Sequence, residues 1–227
     1  QTEKFPDRTA MTLARPVLSY LTERLSIWRS SDLIKNKDLY AELAEHGQSP
    51  RTMIISCCDS RVDPNKVFTG GPGDFFVVRN VANLVPPCAP GHDHHGTSAA
   101  VEYAVTALKV SHIAVMGHSG CGGVAACHDM CSGHAPELES EGSFIGKWVD
   151  ILRPGFEGMK DIDGDRAVRL RALEQAGTLM SIANLATYPF VKDALEAGTL
   201  TLHALWIDVG TGTVKQYDPE TEAFGEI

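Results

Sequence analysis

No stretch of this 227-residue chain reaches the roughly 18 consecutive apolar residues that a membrane-spanning helix needs. Nor is there a surplus of positive charge: 20 Lys and Arg stand against 29 Asp and Glu, a net charge of −9. That balance repels phosphate backbones and anionic headgroups, so neither nucleic acid nor a membrane is an expected partner. The opening, QTEKFPDRTAMT, has no apolar secretory core and no initiator Met. A cytoplasmic location is expected, and a targeting peptide upstream of this start is compatible with it. Internal repeats and low-complexity tracts are absent too. What is left, 43% hydrophobic and 22% charged residues over this length, suits one domain across residues 1–227.

The six cysteines, at 57, 58, 88, 121, 127 and 131, are spaced too unevenly for a disulfide framework. Metal binding or a reduced compartment fits them better.

Hydrophobic periodicity predicts an α/β fold. Residues 11–46 read as an N-terminal helical arm, with Leu13, Val17, Leu21, Leu25 and Trp28 at helical spacing. A second helix starts at Asp32 and ends at Gly47. The apolar stripe is read as core or as a subunit interface. Thr52–Ser56, Phe75–Arg79 and Ile113–Gly117 are short buried strands, and Thr97–Leu108 and Gln175–Leu195 are helices, the latter interrupted near Pro189. Thr199–Ile207 and Thr213–Tyr217 flank a Gly-rich turn, as a hairpin or an edge extension of the sheet, with an edge strand near Leu202. Strands alternating with helices imply a mostly parallel sheet flanked by helices.

Two strand ends carry the unusual residues: CCDSR follows the first strand and GHSGCGG the third. Ligands gather outside the carboxyl ends of strands in such sheets, so topology brings together motifs far apart in sequence. Zinc favours thiolate and imidazole, and catalytic sites keep three protein ligands with a fourth position open for water. His118 and Cys121, spaced H-x-x-C in a Gly-rich turn, and a cysteine at the end of the first strand supply such a set. Asp59 and Arg61 add what a structural zinc site does not need. An Arg beside a carboxylate keeps it ionised and oriented, so that it can accept a hydrogen bond from a metal-bound water and point the oxygen lone pair outward.

With Cys57-Cys58-Asp59-Ser60-Arg61 and His118-Ser119-Gly120-Cys121, the chain resembles the β-class carbonic anhydrases, whose pattern is C-x-D-S-R followed by H-x-x-C. The likeness runs from about Leu13 to Tyr217. It includes Gly47-Gln48-Ser49-Pro50, Phe76 to Val85, Gly96 to Ala100, Glu102 to Val105 and His118 to Gly123. The resemblance implies reversible hydration of carbon dioxide to bicarbonate and a proton by a zinc-bound hydroxide, a Zn2+ held by two cysteines and a histidine, and a homodimer or a higher even homo-oligomer. It places the ligand first in its motif, making Cys57 the ligand; Cys58 is then expected to be a small buried residue. Successive side chains near a strand end point opposite ways, which agrees.

The resemblance also implies a substrate pocket: Gln48 as the amide donor to substrate oxygen, with Phe76, Val81 and Tyr103 as an apolar wall. An apolar wall suits an uncharged substrate. Each pocket is expected to be walled in part by a neighbouring subunit. Another branch of the family carries a noncatalytic bicarbonate site with a Trp three residues, and a Gly one residue, before the zinc cysteine. Ile54 and Ser56 stand there, which points to the plant-type branch without bicarbonate inhibition. Two thiolates donate more charge than imidazoles do, so activity is expected to rise on the alkaline side of neutrality. Gly91-His92-Asp93-His94-His95 offers titratable groups for proton relay or simply a solvated loop. Cys127, Cys131, His128 and His134 are read as packing. A carbonyl sulfide or carbon disulfide hydrolase on the same scaffold is the alternative function, and a zinc-stabilised binding module is a second.

Overall fold

Apolar runs too short for helices become the inner strands of a six-stranded sheet in this computed structural model, which describes residues 16–89, 95–159 and 162–227. The chain divides into two compact units, Gln1–Gly47 and Gln48–Ile227.

The first unit holds helices α1 (Ser19–Ser30), α2 (Asp32–Lys35) and α3 (Lys37–His46). Asn36 separates α2 from α3, where one continuous helix was expected. Its side-chain amide donates back to Asp32 O at 3.1 Å and Asp32 Oδ1 at 3.0 Å, competing with the helical ladder. Gly47 ends the arm at φ 81°, a left-handed conformation that suits glycine. None of the three helices contributes a buried side chain, so the expectation of core does not hold for the stripe from Val17 to Trp28. Leu13 lies outside the described residues.

The second unit opens with β1 (Thr52–Cys57), then α4 (Pro64–Val67), β2 (Phe75–Asn80), α5 (His95–Glu102), continued by a π-helical turn at Tyr103–Ala107, and β3 (His112–His118). Next come α6 (Gly122–Cys131), α7 (Phe144–Val149), α8 (Arg153–Glu157), α9 (Arg166–Leu185) and α10 (Pro189–Glu196), followed by β4 (Thr201–Ile207), β5 (Val214–Asp218) and β6 (Ala223–Glu226). The sheet order is β2-β1-β3-β4-β5-β6, parallel from β2 through β4 and antiparallel beyond. The chain leaves β1 for β2 on one side and later places β3 on the other. The carboxyl ends of β1 and β3 therefore form a switch point, the usual crevice for a ligand.

Both faces of the parallel strands are covered, which is why they read as continuous apolar runs. One face packs Ile54, Ala114, Met116, Leu205 and Ile207 with residues of α6 to α9; the other packs Met53, Ile55, Ile113 and Val115 with residues of α5, α10 and the end of α9. Fully burying a side chain such as Ile55 or Ile113 contributes about 1.5–3 kcal/mol. Leu202 is not on an edge strand: β4 lies between β3 and β5, and the described edges are β2 and β6. β5 pairs with β4 only at Leu205–Ile207, so the start of β4 around Leu202 pairs with β3 alone. Helix α9 begins nine residues before the expected start, at Arg166, where Asp165 accepts from Val168 N at 3.0 Å as N-cap. Among the described residues no helix is long and apolar enough to cross a membrane.

Candidate metal centre

β1 delivers Cys57 to the switch point and β3 delivers His118; the turn after β3 brings Cys121 back beside them. Gly120, at φ 66°, makes that turn. The side-chain donor atoms of Cys57, His118 and Cys121 lie within 4.8 Å of one another, and all three residues are buried. No fourth His, Cys, Asp or Glu joins them among the described residues.

The donor set fits a tetrahedral metal. Two metal–sulfur bonds of about 2.3 Å place their sulfurs about 3.8 Å apart, and the two Sγ atoms are 3.9 Å apart. His118 Nδ1 donates to Ser119 O at 3.0 Å, which fixes the tautomer and turns the Nε2 lone pair inward. That Nε2 is buried and has no hydrogen-bond partner, an orphan that a metal would satisfy. The Cys57 thiol is pushed down to about 4 by its bond with Cys121, aided by His118 and the Asp59 and Ala82 amides against the opposing effect of burial. Cys121 is pushed up by the same bond and by burial.

Asp59 stands beside this centre and not in it. Arg61 grips both carboxylate oxygens, Nε to Oδ1 at 2.9 Å and Nη2 to Oδ2 at 2.6 Å, and its backbone N–H adds a third bond to Oδ1 at 2.9 Å. These bonds hold the carboxyl well below the usual carboxylate range. Arg61 Nη2 also donates to Gly120 O at 3.0 Å, tying the turn after β1 to the turn after β3. Asp59 Oδ2 is 4.0 Å from His118 Nε2, close to the metal position but committed to the guanidinium.

The pocket residues divide. Val81 follows β2 directly and packs in the same apolar cluster as Cys57 and Cys121, while the next amide, Ala82 N, donates to Cys57 Sγ at 3.4 Å. Phe76 and Tyr103 pack against each other, ring centroids 5.9 Å apart. Phe76 pairs with Met53, four residues before the Cys57–Asn80 pair, and belongs to the cluster on the opposite sheet face. Gln48 is exposed and precedes β1, at the strand end away from Cys57. A single chain therefore gathers the ligands, Asp59, Arg61 and Val81, and leaves Gln48, Phe76 and Tyr103 elsewhere.

Cys58 is exposed, contrary to expectation, because the strand ends at Cys57 and the turn throws the next side chain outward. Cys127 and Cys131 pack together with sulfurs 3.9 Å apart, and His128 lies edge-on to Phe156. The loop from Gly91 to His94, with the His95 side chain, lies outside the described residues.

Two residues missed in the sequence shape the centre. Glu174 crosses from α9, and its Oε1 accepts from Gly120 N at 2.7 Å and Cys121 N at 3.2 Å. Burial holds its carboxyl above the usual range, against those two bonds. Arg79 donates to Cys57 O at 2.9 Å and Asp59 O at 2.6 Å, clamping the backbone that carries the first ligand.

The model of a family described as carbonic anhydrase matches residues 52–214, nearly three quarters of the chain. The chain belongs to the carbonic anhydrase family. A carbonic anhydrase of a Synechocystis species is 33% identical over 202 residues, 87% of this chain and 70% of that one. The solved β-carbonic anhydrase CcaA is 31% identical, with a TM-score of 0.82 over 92% of this chain and 91% of its own. Tetrameric β-carbonic anhydrases of Sordaria macrospora give 30% identity and a TM-score of 0.73 over 87% of this chain and 94% of theirs. This carbonic anhydrase thus carries the β-class fold around a Cys-His-Cys group that could hold a metal.

Proposed function

We propose that the chain catalyses reversible hydration of carbon dioxide to bicarbonate and a proton, with Zn2+ held by Cys57, His118 and Cys121. The observation that carries this reading is a three-donor centre with an ionised carboxylate held beside it by Arg61. Zinc in an open three-ligand site supplies acidified water as a nucleophile.

The protein's own groups do the rest. Asp59 Oδ2, ionised and fixed, accepts the O–H of the attacking oxygen and turns its lone pair toward the substrate carbon. Arg61 keeps that carboxylate from swinging onto the metal, and Glu174 and Arg79 hold the two ligand-bearing turns. Gln48 donates to a substrate oxygen, and Phe76, Val81 and Tyr103 exclude water around an uncharged molecule. Because three of these four stand away from the ligands of their own chain, a second copy supplies them, and the working form is an even homo-oligomer. The tetrameric relatives from Sordaria macrospora support that assembly. Ile54 and Ser56, in place of a Trp and a Gly, support the plant-type branch as part of this reading. Six unpaired cysteines suit a reducing cytoplasm.

Stopped-flow hydration of carbon dioxide, run beside carbonyl sulfide hydrolysis on the same zinc-loaded sample, tests the reading. Fast carbon dioxide turnover, rising toward alkaline pH, is expected; one zinc per chain with turnover of carbonyl sulfide alone would overturn it.

A further inference from the structure

At the sheet end away from the Cys57–His118–Cys121 centre, β3 and β4 begin side by side. His112 pairs with Thr201 and Ala114 with His203, so His112, Thr201 and His203 share one sheet face. His112 Nδ1 lies 2.7 Å from Thr201 Oγ1 and His203 Nε2 lies 3.0 Å from the same oxygen. The two ring nitrogens are 3.4 Å apart, with ring centroids at 5.4 Å and planes tilted by 56°. The rings therefore converge nitrogen-first on the Thr201 hydroxyl instead of stacking.

We propose that His112 and His203 form a second metal site, for a borderline divalent ion of the zinc, nickel and copper class, which staples β3 to β4. Two metal–nitrogen bonds of about 2.05 Å meeting near 110° put the nitrogens about 3.4 Å apart, which is the separation present before any ion binds. Imidazole donors without carboxylate select this class over magnesium or calcium. Ligation needs a neutral ring. Burial first, and the neighbouring His112 second, hold His203 below its ordinary pKa, which favours the neutral ring, and an ion would take the place of its 3.0 Å contact with Thr201 Oγ1. Both rings are half-buried on packed strands, which limits the order a binding ion must impose. Thr201 Oγ1, also 3.5 Å from Ser111 O, is placed to hydrogen-bond a water completing the ion's shell. The ion would be distinct from the one in the proposed reaction: His112 and His118 bracket β3, six residues or about 20 Å apart at 3.3 Å per residue.

The test uses the zinc-loaded enzyme with Ni2+ as probe. Crystals soaked in Ni2+ are measured at the nickel absorption edge, and equilibrium dialysis counts nickel for wild type, His112→Ala, His203→Ala and a chain with His92, His94 and His95 replaced by Ala. An anomalous peak about 2.1 Å from His112 Nδ1 and His203 Nε2 is expected. Each single variant should lose one nickel equivalent while keeping wild-type zinc content and carbon dioxide turnover, and the triple variant should keep that equivalent. Nickel peaks only at other residues, or unchanged stoichiometry in both single variants, would overturn the site.

Discussion

Replacing Glu174 by Gln keeps the shape of the side chain and removes its charge. Oε1 holds Gly120 N and Cys121 N, the backbone that carries the third ligand, from a position 4% exposed. A hydrogen bond to a charged group contributes about 1.5–3 kcal/mol against about 0.5–1.5 for a neutral one. Two bonds thus lose about 2 kcal/mol, an upper figure, since burial already disfavours the carboxylate. At ~1.4 kcal/mol per tenfold, that is a loss of about 30-fold. Residues that orient metal ligands typically change metal affinity by about 10–100-fold, which brackets the same value. Competition with a chelator of known affinity measures zinc binding, and near-ultraviolet circular dichroism confirms folding. Glu174→Leu, which removes the acceptor altogether and leaves the buried Cys121 amide unpaired at about 1–3 kcal/mol, should bind zinc more weakly still. Zinc affinity within twofold of wild type in both variants would refute the role given to Glu174.

Further outcomes follow from other parts of the molecule. A Cβ on Gly117 would run into the buried Thr178 hydroxyl just before His118; Gly117→Ala should cost about 2 kcal/mol by overpacking and lower the calorimetric Tm by about 4–8 °C. An unchanged Tm would contradict that packing. Because His203 titrates below its ordinary value of 6.5, the unfolded chain binds more protons as pH falls through that value, and stability drops on the acid side while remaining full above it. The Tm–pH profile of His203→Asn should therefore be flatter than that of wild type at acid pH; parallel profiles would count against it. With Ile54 and Ser56 in place of a Trp and a Gly, rising bicarbonate should slow hydration without cooperativity, and a sigmoid loss would contradict the plant-type assignment.

The legible parts of this molecule were those where one residue's chemistry decides its place. β1 and β3 announce themselves because buried parallel strands must be apolar throughout, and Cys57 and His118 end them; β2 reads from a similar apolar run although it lies half-buried at the sheet edge. Asp59 and Arg61 are neighbours in sequence, so their bond needs no tertiary information. Glu174 gave no signal: a glutamate on a charged helix reads as solvated, and only the packing of α9 across the turn after β3 makes it a buried acceptor. Arg79 was equally silent, since its partners are backbone carbonyls 20 and 22 residues away. The start of α9 was missed because RAVRLRALE faces solvent in part and has no clean apolar stripe. β6 was missed because TEAFGEI alternates too weakly to read as a strand. Gln48, Phe76 and Tyr103 came from resemblance alone, and their separation from the ligands within one chain is what makes a second copy necessary to the account.

The claim at the centre is that Asp59 works beside the metal and not on it. Asp59→Ala, assayed by stopped-flow carbon dioxide hydration with zinc counted on the same sample, tests this directly. The account predicts one zinc per chain in both proteins and a hydration rate at least tenfold lower in the variant, the low end of about 10²–10⁴ for a positioned proton-handling group being relaxed for the remaining shell. Full activity with zinc retained, or loss of zinc together with activity, would contradict it.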